Sequence, residues 1–144
     1  MIVLDSYAVL ALLKDEPAAE EVQRLLEGDD DAALTLLGIA EVLDYLVRLG
    51  GAEEDDAALD LAQLGLDSPP PLDPGVAIRA GLLRARHYHR RTRAVSLADC
   101  VAAETARGLG ASVATADPHL LDTCVAEGIA VIVLPDSRGA VWPN

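Results

Sequence analysis

Four acids stand where a chain of alternating strands and helices would gather chemistry. Asp5 ends the apolar run Ile2-Val3-Leu4. Glu41 falls in Gly38-Ile39-Ala40-Glu41-Val42, Asp99 closes Ser96-Leu97-Ala98-Asp99, and Asp117 follows the run Ser112–Thr115 by two residues. Carboxylates brought together repel one another and resist ionisation unless a cation sits among them. An oxygen-only donor set of this kind suits Mg²⁺ or Mn²⁺ and not zinc. Each acid also has a purely structural reading. Asp5 and Asp117 are good helix N-caps, and Asp117-Pro118 is a cap followed by proline at the first helical position. Ser96-Leu97-Ala98-Asp99 matches a capping box. Glu41 shares a helical face with Asp44, Tyr45 and Arg48, so it can be a solvated surface acid.

Other ligand chemistries lack the necessary spacing. Cys100 and Cys124 belong to no Cys-x-x-Cys pair and read as small core residues. His87 and His89 are two apart and cannot share a helical face. His119 is close to Asp117 in sequence but stands alone. Two cysteines make no disulfide scaffold, and a reduced cytoplasmic protein is expected. Met1 to Asp5 has no basic region of the signal-peptide type. No apolar run approaches the roughly 18–20 residues that span a bilayer.

The charge balance is adverse to nucleic acid: 24 acids against 11 bases, a net charge of −13 in 144 residues. Nucleic-acid binders ordinarily present an excess of Lys and Arg. The bases are nevertheless clustered, with Arg84, Arg86, Arg90, Arg91 and Arg93 close together. This stretch can hold an RNA backbone or a protein partner, or merely pair with surface acids. Three Tyr, one Trp and no Phe argue against a base-stacking platform.

These residues need a scaffold. A buried strand is expected at Ile2–Leu4, then helices at 7–14 and 18–27, a strand at 32–36 and a helix at 38–49 ended by Gly50-Gly51. A further helix is expected at 53–64. Ser68-Pro69-Pro70-Pro71 interrupts the chain, with room for a short edge strand at 71–72. Helices at 75–90, 97–108 and 118–127 then alternate with strands at 112–115 and 130–134. Residues 135–144 form a tail. Strands separated by helices throughout indicate a single α/β domain over 1–144 with a mainly parallel sheet. Functional groups in such sheets gather beyond the carboxyl ends of the strands.

The four acidic segments together resemble the PIN-domain ribonucleases. Ile2 to Leu13 resembles their opening, a hydrophobic strand followed by Asp-Ser or Asp-Thr and an apolar helix. Ala40-Glu41-Val42 resembles their second motif, Ala98-Asp99-Cys100 their third, and Thr115-Ala116-Asp117 their fourth. The likeness covers essentially the whole chain, in order. The chain's size resembles the VapC toxins of bacterial toxin–antitoxin pairs. The resemblance implies a three-layer α/β/α domain with a sheet of about five mainly parallel strands. It implies an acidic pocket of Asp5, Glu41, Asp99 and Asp117 holding one or two Mg²⁺ or Mn²⁺, supported by Ser6 and Thr115. It also implies endoribonuclease activity, a homodimer, and a small antitoxin as partner.

The chemistry expected of such a site is metal-assisted hydrolysis of an RNA phosphodiester, leaving a 5′-phosphate and a 3′-hydroxyl. A phosphoacceptor receiver domain requires a Lys near the last strand, whereas the only Lys is Lys14. A haloacid-dehalogenase-type phosphatase requires Asp-x-Asp, and Asp5-Ser6-Tyr7 lacks the second acid. The alternative from another class is a catalytically silent RNA- or protein-binding module on the same fold.

Overall fold

The computed structural model of the protein describes residues 1–143. Four short strands, β1 (Ile2–Leu4), β2 (Ala32–Leu34), β3 (Ser112–Thr115) and β4 (Val131–Val133), form one sheet. Every pairing is parallel, in the order β2-β1-β3-β4. The strand residues are almost all apolar, as a sheet covered on both faces requires. Seven α-helices join them: α1 (Ser6–Leu13), α2 (Ala19–Glu27), α3 (Leu36–Asp44), α4 (Glu54–Ala62), α5 (Pro74–His87), α6 (Leu97–Leu109) and α7 (Pro118–Glu127).

Alternation along the central strands divides the core in two. Val3 and Val113 point to one side, where they meet Ala80 and Leu83 of α5, Cys100 and Ala103 of α6, and Leu120 of α7. Ile2, Leu4 and Ala114 point to the other, against Ala8 and Val9 of α1, Val22 of α2 and Val42 of α3. The result is the expected α/β/α layering. Leu4, Leu34, Leu83, Leu120 and Leu134 are fully buried, and truncating any of them to Ala is expected to cost about 2–5 kcal/mol.

Several boundaries differ from those read in the sequence. The sheet has four strands among the described residues, and the edge strand considered at 71–72 does not form. The incoming segment makes one sheet-like contact, Asp67 N–H to the Ala32 carbonyl at 2.9 Å. It then enters Pro69-Pro70-Pro71, which has no N–H to continue a ladder. The helix expected at 38–49 begins earlier, at Leu36, because Thr35 caps it by accepting from Gly38 N–H at 3.0 Å. It then widens into a π-helical turn over Tyr45–Leu49, closed by Gly50 N–H on the Tyr45 carbonyl. Gly38 lets α3 lie close on the end of β2: a Cβ there would stand 3.1 Å from Leu34 Cδ2.

The helix expected at 75–90 stops at His87. Beyond it His89 and Arg93 exchange two backbone hydrogen bonds of 2.9 Å in a tight reversal. Arg86 and Arg90 therefore do not share a helical face. The tail from Pro135 packs back on the domain: Tyr7 Oη donates to the Pro135 carbonyl at 2.8 Å, and Trp142 Nε1 donates to Asp122 at 3.1 Å. Its last residue, 144, lies outside the described residues. No described helix is long and apolar enough to cross a membrane.

Candidate functional site

The strand order creates the site. From β1 the chain crosses outward to β2 in one direction, and from β3 it crosses to β4 in the other. The crevice beyond the carboxyl ends of β1 and β3 is the topological switch point, where open α/β sheets place their ligands. Register then brings particular residues there. Leu4 pairs with Ala114, so Asp5 emerges beside Thr115, and Asp5 N–H donates to the Ala114 carbonyl at 3.1 Å.

Three of the four acids read from the motifs serve first as local structural devices. Asp5 caps α1, its Oδ1 accepting from Ala8 N–H at 2.9 Å. Asp117 caps α7 by accepting from His119 N–H at 2.8 Å. Asp99 completes a capping box in which Ser96 and Asp99 each accept the other's backbone N–H at 3.0 Å. The capping readings are thus correct, and they do not compete with a ligand role. Asp99 uses Oδ2 and Asp117 uses Oδ1 for its cap, and each has a second oxygen to offer. Capping fixes the orientation of that second oxygen.

Thr115, fully buried, ties the centre together. Its hydroxyl donates to Asp5 Oδ2, while its Oγ1 accepts from Asp117 N–H at 3.0 Å. One side chain at the end of β3 therefore positions the acids that follow β1 and β3. Ser6 stands beside Glu41 and favours its charged form.

The four acids act on one another's charge. Burial pushes the Asp5 carboxyl up from 3.8 to about 7, and the Asp99 and Asp117 carboxylates push it further, against the hydrogen bonds from Thr115 and Ala8. Asp99 is also raised, by burial first and then by Asp117, with His119 acting in the opposite sense. Glu41, on the solvent-facing side of α3, is raised by partial burial and by Asp99. The charged side chains acting on Asp5 are two acids and no base. Among the described residues, however, no three His, Cys, Asp or Glu side chains are grouped as a ready metal cage. Carboxylate oxygens are donors of the type that hard divalent cations take. Mg²⁺ is ordinarily bound in this way, through one or two carboxylates completed by water and substrate phosphate.

The basic stretch behaves differently from the acids. Arg84 Nε donates to the Val95 carbonyl at 2.9 Å, and its guanidinium lies 4.2 Å from the Tyr88 ring centroid. Arg86 pairs with Glu127 at 3.3 Å. Arg93 donates to His87 Nδ1 at 2.8 Å, which leaves His87 Nε2–H to donate to Glu127 at 2.6 Å. With Arg107 also on it, Glu127 is held down at about 2. Three of the five arginines thus hold the fold's own groups. Arg90 and Arg91 are exposed, with no side-chain hydrogen bond or ion pair among the described residues. Cys100 and Cys124 are buried in the core as expected, and burial pushes their thiols up to about 11 and about 12, which makes them poor nucleophiles.

The sequence matches the PIN domain family over residues 2–126. No curated protein matches the chain. Among solved structures, FitAcB from Neisseria gonorrhoeae is similar with a TM-score of 0.67 and 22% identity, over 92% of this chain and 96% of that one. VapBC2 from Rickettsia felis, bound to a DNA fragment from its promoter, is similar with a TM-score of 0.66 and 15% identity, over 92% and 98%. A toxin–antitoxin complex from Klebsiella pneumoniae is similar with a TM-score of 0.61 and 17% identity, over 81% and 87%. At these identities the likeness is one of fold. The sequence match over most of the chain, together with acids gathered at the β1/β3 switch point, places this chain in the PIN-domain family.

Proposed function

We propose that the protein is a divalent-metal-dependent endoribonuclease and the toxin of a toxin–antitoxin pair. The observation that carries the reading is the convergence of Asp5, Asp99 and Asp117 at the switch point with no base among the charges acting on Asp5. An acidic pocket of this kind repels phosphodiesters by itself. A bound Mg²⁺ or Mn²⁺ would reverse the local potential and supply an activated water and a polarised phosphoryl oxygen. Asp5, Asp99 and Asp117 are the candidate ligands. Glu41, the most exposed of the four, is suited to hold a water and take its proton. Thr115 and Ser6 orient Asp5 and Glu41. The products would carry a 5′-phosphate and a 3′-hydroxyl.

The toxin role, with a small antitoxin as partner and a homodimer as the assembly, draws on the fold likeness to the Klebsiella pneumoniae toxin–antitoxin complex and the VapBC2 structure. The test is cleavage of end-labelled RNA in Mn²⁺ or Mg²⁺ against chelator, with the new ends mapped. Cleavage that requires metal, yields 5′-phosphates and is lost in Asp99→Asn supports the reading. RNA binding without cleavage in any metal would favour the silent module.

A further inference from the structure

A second cleft opens against the acidic site. It has a volume of about 270 Å³, and Ser6, Tyr7, Lys14, Glu16, Tyr45 and Ser137 line it. It shares a wall with the site: Ser6 follows Asp5 directly and acts on Glu41, and the Asp5 carboxylate acts on the Tyr7 hydroxyl. Ligand pockets run from about 300 to 1,000 Å³, so this cleft suits a single ring system.

Its polar groups are arranged in advance. Lys14 ends α1, and the chain then reverses through Asp15, which has φ of 55° and is the only described non-glycine residue with positive φ. Glycine is the usual residue at this position beyond a helix end, and Asp is among the few others that tolerate it. The reversal is held by Glu16 N–H on the Ala11 carbonyl at 2.9 Å and Asp15 N–H on the Leu12 carbonyl at 3.3 Å. It turns Lys14 and Glu16 into one cleft, with Lys14 Nζ 2.7 Å from Glu16 Oε1. Lys14 Nζ also donates to Tyr45 Oη at 2.8 Å and lies 4.6 Å from that ring's centroid. Tyr45 is presented at the start of the π-helical turn, a feature frequent at functional sites. Tyr7 is fixed by its bond to the Pro135 carbonyl.

We propose that this cleft is a base-reading subsite for the RNA strand, and that Lys14 and Glu16 select guanine. The inference rests on the ribonuclease reading above. Single-stranded RNA is recognised by hydrogen bonds to splayed bases on their Watson–Crick edges, against aromatic walls. A carboxylate only accepts and an ammonium only donates. Guanine alone among the four bases offers two adjacent N–H donors to a carboxylate, with a carbonyl oxygen beside them for an ammonium. Tyr7 and Tyr45 are the aromatic residues of the lining. Because Lys14 and Glu16 neutralise each other, the cleft has little pull on phosphate, which favours a base over the backbone.

Two measurements on the full chain test this. In the first, a random-sequence RNA pool is cut in Mn²⁺ and the ends are sequenced. Wild type is expected to enrich guanine at least fivefold at one fixed position next to the cut, and Glu16→Gln and Lys14→Met to flatten that enrichment. In the second, GMP, AMP, CMP and UMP are titrated by NMR. GMP is expected to bind at least fivefold more tightly than the others, and Glu16→Gln, an isosteric change, to remove the difference. No guanine enrichment in wild type, or enrichment unchanged in both variants, overturns the proposal, as does equal binding of the four nucleotides. Guanine-selective binding without cleavage would instead sink the ribonuclease reading and leave the nucleotide subsite standing.

Discussion

Replacing Asp5 by asparagine is expected to make the metal-free protein more stable at neutral and alkaline pH while abolishing cleavage. The Asp5 carboxyl is buried between the ends of two central strands and titrates at about 7 instead of 3.8. Below pH 3.8 it is protonated in the folded and unfolded chains alike. Between 3.8 and 7 the folded chain keeps a proton that the unfolded chain has released, so stability falls as pH rises. Above 7 both forms are ionised and the loss is complete. At about 1.4 kcal/mol per pH unit, the whole interval corresponds to about 4 kcal/mol. Asparagine keeps the cap on Ala8 N–H and carries no charge at any pH. Its amide must, however, find an acceptor where Thr115 now donates, so a gain of about 2–3 kcal/mol is expected at pH 8. In a domain of this size that raises Tm by about 5–10 °C. Glu41 and Asp99 are raised in the same sense, so the variant should retain a shallower slope. The assay is urea unfolding of both proteins from pH 4 to 8 in chelator, repeated with 10 mM Mg²⁺, which should stabilise wild type more than the variant. A wild-type stability that is flat from pH 4 to 7, or an Asp5→Asn variant no more stable at pH 8, would refute the electrostatic argument.

Three further outcomes are expected. Asp117→Asn keeps a good N-cap, so its Tm should stay near that of wild type while RNA cleavage collapses; an active variant would return Asp117 to a purely structural role. Thr115→Val removes the hydroxyl that positions both Asp5 and Asp117, and should cost about 1–3 kcal/mol in denaturant unfolding and lower both metal affinity and cleavage. Arg90→Glu with Arg91→Glu should weaken RNA binding and flatten its salt dependence without lowering Tm, whereas Arg86→Glu, placed against Glu127, should lower Tm; the opposite pattern would show that Arg86, and not the loop, faces RNA.

The elements that were legible in the sequence are those whose signals are local. Ile2–Leu4 and Ser112–Thr115 read as buried strands because short, almost wholly apolar runs bounded by capping residues fit little else. The starts of α1, α6 and α7 were legible because Asp5, Ser96 and Asp117 act on N–H groups two or three residues away. The same locality left the acids ambiguous, since a cap and a ligand use the same residue type at the same place. Only the parallel register of β1 and β3 decided that Asp5 and Asp117 share one crevice, with Thr115 between them. Tertiary packing also decided what sequence periodicity could not. The use of Arg84, Arg86 and Arg93 as internal ties depends on partners 6 to 41 residues away. The meeting of Lys14 with Tyr45, 31 residues apart, is of the same kind. The physical reason is range: caps and short apolar runs are settled within a few residues of backbone, whereas charge convergence and side-chain clefts exist only once distant segments have packed.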